Sequence, residues 1–319
     1  MNIFFMGTPE FGVKSLEVLA KSHHKVVGVV TNPDRPSGRG NKIIFSPIKQ
    51  KAIELNIPVF QPEKINTPEF KAILDSVRPD LLITVCCSHY ITKWIREYPQ
   101  FGSINLHPSL LPLYRGTSPI IEPIIRGDKT SGITTFYLDK GWDTGDMIIQ
   151  REIPIDPGET GGSLHDKLSL LGSEILLETV NLIEEGRVLR TVQNHDMACY
   201  TDKIFPGHGE IEWAGSSTDI ERKIRAYTPF PGTYTYYKGE KVKIWEANTG
   251  GEYNGTPGVI VHAGEKEGLV IGTGNGLLEI ITLQMPSRKK TGAKEFLRGY
   301  KMDEGEILGK KPDETIQGE

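Results

Sequence analysis

An amide and an imidazole stand two residues apart in the segment INLHPSLLPLYRGTSPI, residues 104–120. Because alternate residues of a strand face the same side, Asn105 and His107 are predicted to project together from the end of a strand. An amide N–H can stabilise a developing oxyanion, and an imidazole can carry a proton near neutral pH. The pair indicates a candidate site for acid–base chemistry, although a lone histidine at such a position is more often structural.

A second, acidic loop strengthens the catalytic interpretation. The segment DKGWDTGDMI places Asp143 on a tight turn between Gly141 and Gly145, directly after another predicted strand. A carboxylate beside an imidazole orients the ring and favours its protonated form. We identify no Ser or Cys nucleophile in these loops, so we expect direct acyl transfer between two bound substrates and not a covalent enzyme intermediate.

Two other uses of these segments are disfavoured. A catalytic zinc ion usually takes three protein ligands with a recognisable spacing, which is not found here, so we expect no metal. A dinucleotide fingerprint would occupy MGTPEFG, but Gly7 and Gly12 do not have the G-x-G-x-x-G spacing and Pro9 removes a backbone donor. A Rossmann-like sheet without a dinucleotide is therefore favoured.

Short apolar runs alternate with helical patterns over the first part of the 319 residues and must position these side chains. This alternation predicts an α/β fold with an open, Rossmann-like sheet of parallel type in residues 1–187. The pattern dissolves over residues 188–209, which we interpret as an interdomain linker. About five short strands with Gly, Pro and Asn turns follow, and they predict a small OB-like β-barrel domain in residues 210–319.

Composition limits the class of protein. The formal charge of −4 argues against a wholly basic nucleic-acid binder, so any polyanion contact must come from a local patch. Three cysteines without a CxxC pair fit a reducing cytoplasm. No apolar run is long enough for a membrane span. We therefore expect a cytoplasmic protein with no membrane partner.

Two basic groups could form such local patches. A long Pro/Gly loop after the second predicted strand carries Arg35, Arg39 and Lys42, and the segment SRKKTGAK carries Arg288, Lys289 and Lys290. A solvated surface loop is the usual explanation for either group alone. Long loops in compact α/β units tend to be functional, however, and spaced Arg and Lys suit contacts to a phosphate backbone.

Several of these segments together resemble the methionyl-tRNA formyltransferases, within the wider formyltetrahydrofolate-dependent family. The resemblance rests on MGTPEFG, PDRPSGRGNK, PVFQPEKI, INLHPSLLPLYRG, DTGDM, RAYTPFPGTYTYY, KIWEA and EFLRGYKM, and it runs over nearly the whole chain. It implies transfer of the formyl group of 10-formyltetrahydrofolate to the α-amino group of initiator methionyl-tRNA. It also implies an OB-like second domain that helps to hold the tRNA.

The resemblance further implies roles for individual residues. Asn105, His107 and Asp143 correspond to the catalytic trio, and Arg39 matches the region that engages the tRNA acceptor end. Four residues match the turn that contacts the folate: Ser109, Leu110, Leu111 and Pro112. We expect a monomer.

Two alternatives stay open at this point. An amino-sugar-nucleotide formyltransferase would share the trio and the folate but would leave the basic loop unexplained. A non-catalytic RNA-binding protein built on an OB module would leave NLHPSLLP and DTGDM unexplained.

Overall fold

A computed structural model describes residues 1–37 and 42–309, with the backbone alone at Ser37, Lys42 and Ile43. Two compact units make up the chain. Unit 1 comprises Met1–Ile120, Thr130–Pro154 and His165–Asp202, and unit 2 comprises Ile121–Lys129, Ile155–Leu164 and the chain from Lys203 onward. The domain limits predicted from the sequence (1–187, 188–209 and 210–319) stay a prediction.

Unit 1 is a sheet covered by helices. Its strands are β1 (Asn2–Gly7), β2 (Lys25–Val30), β3 (Arg35–Ser37), β4 (Lys42–Ile44), β5 (Val59–Phe60), β6 (Leu81–Val85), β7 (Ser103–His107), β8 (Arg115–Gly116), β9 (Thr130–Tyr137), β10 (Met147–Pro154) and β11 (Tyr200–Thr201). Its helices are α1 (Val13–Lys21), α2 (Pro47–Glu54), α3 (Pro68–Val77) and α4 (Lys93–Arg96). α5 (Ile121–Arg126) belongs to unit 2, and α6 (Gly161–Glu184) begins there and continues in unit 1.

Seven strands of unit 1 form one sheet in the order β10-β9-β7-β6-β1-β2-β5. The five strands from β7 to β5 are parallel, which confirms the parallel Rossmann-like sheet. At one edge of the sheet, β9 pairs antiparallel with β7, and β10 pairs antiparallel with β9. The apolar runs did not predict these pairings, because a buried run does not encode strand direction. All five residues of β6 are buried, as expected for a strand covered on both faces.

The predicted basic loop after β2 contains the short antiparallel hairpin β3–β4. Ser46 precedes α2 as its N-cap and accepts a hydrogen bond from the Lys49 N–H at 3.1 Å, while Pro47 opens the helix. Arg39 falls between the two strands of the hairpin and lies outside the described residues.

Unit 2 contains a second, antiparallel sheet. Its strands are β12 (Thr233–Tyr237), β13 (Glu240–Thr249), β14 (Ile260–Gly264), β15 (Gly268–Gly272), β16 (Leu277–Gln284) and β17 (Thr291–Gly292), and its further helices are α7 (Ser217–Ala226) and α8 (Ala293–Gly299). The strand order is β12-β13-β16-β15-β14, with β17 on β16. Over the residues that the structure describes, no pairing closes this order into a ring, so the predicted OB-like barrel is not confirmed.

α6 has 24 residues, but within residues 1–37 and 42–309 no helix is long and apolar enough to cross a membrane.

Candidate active site

Asn105 lies on β7, and its side chain is held from the neighbouring strand. The register pairs Thr84 of β6 directly with Asn105, so both side chains share one face of the sheet. The Thr84 hydroxyl donates to Asn105 Oδ1 at 2.7 Å. Because the amide oxygen is engaged in this way, the Nδ2 group is the part of the side chain that can donate to a substrate. Thr84 was not recognised from the sequence, since its role depends on a pairing across strands.

His107 ends β7 and is buried, with 4% of its surface exposed. Its Nε2 lies 2.9 Å from the Tyr114 carbonyl oxygen, which can only accept, so Nε2 carries the hydrogen. The ring therefore turns Nδ1 toward Asp143, whose Oδ2 is 3.8 Å away. The Phe136 ring meets the imidazole edge-on at 6.5 Å. Nδ1 is thus the nitrogen at which a proton can be gained or lost.

Asp143 adopts a left-handed backbone conformation, with φ at 54°. A side chain in this region costs on the order of 1 kcal/mol or more and persists only where the surroundings hold it. Here the Gly116 N–H donates to Asp143 Oδ2 at 2.8 Å, and Gln193 Nε2 donates to the Asp143 carbonyl oxygen at 2.8 Å. Gly145 is required by close packing, since a Cβ there would overlap the Tyr137 carbonyl. The loop therefore presents the carboxylate to His107 in a fixed position.

A fully buried arginine, Arg115, contacts this loop through Gln193. Arg115 Nη2 lies 2.7 Å from Gln193 Oε1 and 3.0 Å from His195 Nδ1, and its Nη1 donates to the Tyr200 hydroxyl at 3.0 Å. The same Gln193 reaches both the Asp143 and the Gly145 carbonyls. No short-range pattern identifies Gln193, because it is 50 residues from Asp143 in the chain.

The four residues predicted to contact a folate form the turn after β7. Ser109 and Leu111 are buried, whereas Leu110 and Pro112 are half-buried. The turn is anchored at two points: Thr134 Oγ1 donates to the Ser109 carbonyl at 2.7 Å, and Gln150 Nε2 donates to the Leu111 carbonyl at 2.7 Å. Any contact with a ligand would thus use the side chains of Leu110 and Pro112 and the backbone. Their assignment stays a prediction.

The predicted tRNA-contacting residues fall in separate places. Arg35 lies in β3, largely exposed, with Nη2 3.3 Å from Glu63 Oε2. Lys42 lies in β4, and its side chain is outside the described part of the chain. Arg288, Lys289 and Lys290 are exposed in the turn after β16 in unit 2.

The structure adds an aromatic–cationic group near the second basic segment. Lys290 Nζ lies 5.1 Å from the Trp245 ring, and Lys243 Nζ lies 5.3 Å from it. Lys241 Nζ lies 3.3 Å from the Tyr234 ring. The alternating lysines of KGEKVKIWEA were the available signal for this group, because residues two apart in a strand share a face.

Comparison with known proteins identifies the family of the chain. A family model described as formyl transferase matches residues 1–180, and the model of the formyl transferase C-terminal domain matches residues 203–301. A methionyl-tRNA formyltransferase of Acetivibrio thermocellus is 44% identical over 311 residues, which are 97% of this chain and 100% of the relative. The chain belongs to the methionyl-tRNA formyltransferase family. A second member, from Geobacter sulfurreducens, is 40% identical over 97% of both chains.

Solved structures related to this methionyl-tRNA formyltransferase family member share its fold. An N-formyltransferase of Helicobacter canadensis, in complex with folinic acid and dTDP-3-aminofucose, is 23% identical with a TM-score of 0.65, covering 88% of this chain and 99% of that one. HypX of Aquifex aeolicus, in complex with tetrahydrofolic acid, is 19% identical with a TM-score of 0.60, covering 96% of this chain and 51% of that one. At these identities the likeness establishes the fold alone.

Proposed function

We propose that this protein transfers the formyl group of 10-formyltetrahydrofolate directly to the α-amino group of initiator methionyl-tRNA in the cytoplasm. The observation that carries the proposal is the approach of His107 Nδ1 to Asp143 Oδ2, at 3.8 Å, beside an amide whose oxygen is already engaged. These groups lie where the parallel strands end, the edge at which open α/β sheets bind their ligands. The family of the chain supports the choice of substrates.

Asn105 stabilises the negative charge that develops during transfer. When the amine nitrogen attacks the formyl carbon, the C=O π electrons move onto the formyl oxygen. The Nδ2 group of Asn105 donates to that oxygen, while Thr84 holds Oδ1 in place. A donor that needs no reorganisation stabilises such charge far better than water does.

His107 and Asp143 handle the proton of the attacking amine. Nε2 remains bonded to the Tyr114 carbonyl, so the proton is taken up and returned at Nδ1. The carboxylate of Asp143 faces that nitrogen and stabilises the protonated ring. Because 3.8 Å exceeds a direct hydrogen bond, one bridging water or a closer approach in the substrate complex completes the relay. The proton then reaches the departing folate nitrogen, and the charges balance.

The turn after β7 orients the folate. During transfer the bond between the formyl carbon and the folate nitrogen breaks, and the nitrogen keeps the bonding electrons. The Leu111 and Ser109 carbonyls are fixed by Gln150 and Thr134, so the turn holds Leu110 and Pro112 in place to contact the folate. A donor held in this way gains much of its rate from orientation.

The tRNA is held by phosphate contacts. The basic residues Arg35, Arg39 and Lys42 of the inserted loop, and Arg288, Lys289 and Lys290 in unit 2, would neutralise phosphates of the acceptor arm. Lys243 and Lys290 beside Trp245 extend the unit 2 group. These contacts position the substrate without reading its sequence.

A product assay tests the function. Purified protein is incubated with formyl-labelled 10-formyltetrahydrofolate and methionyl-initiator tRNA, and the amino acid is then released and analysed. We expect label in N-formylmethionine, and none when Asn105→Ala replaces the wild type under the same conditions for a short time. Label in an amino-sugar nucleotide supplied as competitor, with none in methionine, would contradict the proposal, as would tight RNA binding without turnover.

A further inference from the structure

One histidine–carboxylate cluster in unit 1 lies outside the proposed active site. His23 and His24 form the turn between α1 and β2, and Glu184 is the last residue of α6. His23 Nε2 lies 2.6 Å from Glu184 Oε2, and His24 Nδ1 lies 3.6 Å from Glu184 Oε1. One ligand atom from each of the three residues falls within 4.8 Å of the others. This spacing is compatible with a single shared cation.

The ring of His24 is oriented for coordination. Its side chain is fully buried, and Nε2 lies 2.9 Å from Asn181 Oδ1. Because an amide oxygen only accepts, Nε2 carries the hydrogen and Nδ1 carries the lone pair, 3.4 Å from the Met1 ammonium nitrogen and on the same side as Glu184. A histidine that binds a metal through one nitrogen usually donates from the other to such an oxygen, which fixes the tautomer. Asn181 is therefore placed as the residue behind the ligand.

We propose that His23, His24 and Glu184 bind a late first-row divalent cation of the Zn²⁺ type. Two imidazoles and one carboxylate are the donors that zinc takes in three-ligand sites, and they do not suit the oxygen-seeking Mg²⁺ or Ca²⁺. The side chain of His23 is 63% exposed, which leaves an entry route. Binding would join the turn after α1 to the end of α6.

The N-terminal amino group of Met1 already contacts this cluster, so a cation must displace it. The Met1 nitrogen lies 3.0 Å from Glu184 Oε1 and 3.4 Å from His24 Nδ1. Binding therefore requires the Met1 ammonium to move away and the hydrogen on His23 Nε2, which faces Glu184 Oε2, to leave that nitrogen. The expectation of no metal rested on the lack of a recognisable ligand spacing in the sequence, and a cluster whose members His23 and Glu184 are 161 residues apart has no such spacing.

Titration calorimetry with ZnCl₂ on the untagged, chelator-treated full chain tests the proposal. We expect one equivalent bound by the wild type and no stoichiometric binding by His23→Ala or Glu184→Gln. Asn181→Leu, which removes only the residue behind the ligand, should weaken binding about 10–100-fold. The matched control is His262→Ala, because His262 faces Glu304 at 3.6 Å without a second histidine, and it should bind as the wild type does.

Two further readings complete the test. Thermal unfolding of His23→Ala in chelator should show a single cooperative transition, which shows that the variant folds. On adding Zn²⁺, only the wild type should unfold at a higher temperature. Co²⁺ should give ligand-field absorption bands in the wild type that His23→Ala lacks. No binding by the folded wild type, or binding by both His23→Ala and Glu184→Gln that equals that of the wild type, would overturn the proposal, whatever the outcome for formyl transfer.

Discussion

The hydroxyl of Thr84 donates to Oδ1 of Asn105 at 2.7 Å across the two central strands that end at the proposed site. This contact decides which end of the amide faces the substrates. Without it, the oxygen and the NH₂ group of Asn105 could exchange places, and the donor would be lost for part of the time.

Asn105→Ala should lower kcat by about 10²–10³, the usual effect of losing one oxyanion donor, with little change in folate binding. Thr84→Val keeps the shape of the side chain and should give a smaller loss of kcat, because the amide remains but is no longer held. Steady-state kinetics and a folate titration measure both effects. Turnover of Asn105→Ala close to that of the wild type would remove this residue from the mechanism.

Asp143→Asn should lower kcat by about 10²–10⁴, the range for loss of a positioned acid–base group. An asparagine oxygen can still accept from the Gly116 N–H, so the loop keeps its place while the negative charge facing His107 is lost. The melting temperature serves as the control and should change little. If single-turnover rates of this variant match the wild type, the proton relay is wrong.

Two glutamines should affect different kinetic constants. Gln193→Glu keeps an acceptor for Arg115 but removes the donor to the Asp143 and Gly145 carbonyls, so kcat should fall with little change in the folate KM. Gln150→Glu removes the donor to the Leu111 carbonyl, so the folate KM should rise more than kcat falls. Both positions act by holding other groups in place. Equal changes in both constants for both variants would contradict the separation.

The basic turn of unit 2 should bind phosphates. Replacing Arg288, Lys289 and Lys290 together with alanine should raise the KM for tRNA. The slope of log KM against the logarithm of the salt concentration should also fall by about one for each phosphate contact that is lost. The control is Lys71→Ala, which removes an exposed lysine already paired with Asp75 at 2.7 Å. An unchanged salt slope in the triple variant would show that this turn does not contact tRNA.

The approach of Asp143 to His107 was predictable from sequence because it depends on local patterns. Strand alternation placed Asn105 and His107 on one face, and the glycines around Asp143 indicated a tight turn. The groups that hold these residues were not predictable. Thr84 bonds Asn105 from a neighbouring strand, and Gln193, which bonds the Asp143 carbonyl, lies in a segment expected to be a linker. The sequence also did not predict the antiparallel pairing of β9 and β10 or the open strand order of unit 2, because apolar runs encode burial but not pairing.

Direct transfer is tested most sharply by following a labelled formyl group by rapid quench during a single turnover. If transfer is direct, label passes from 10-formyltetrahydrofolate to methionyl-tRNA in one phase, none stays on the denatured protein at any time, and Asn105→Ala slows the phase by about 10²–10³. A protein-bound formyl species that forms and decays fast enough to be an intermediate would contradict direct transfer, and so would the absence of label on methionyl-tRNA.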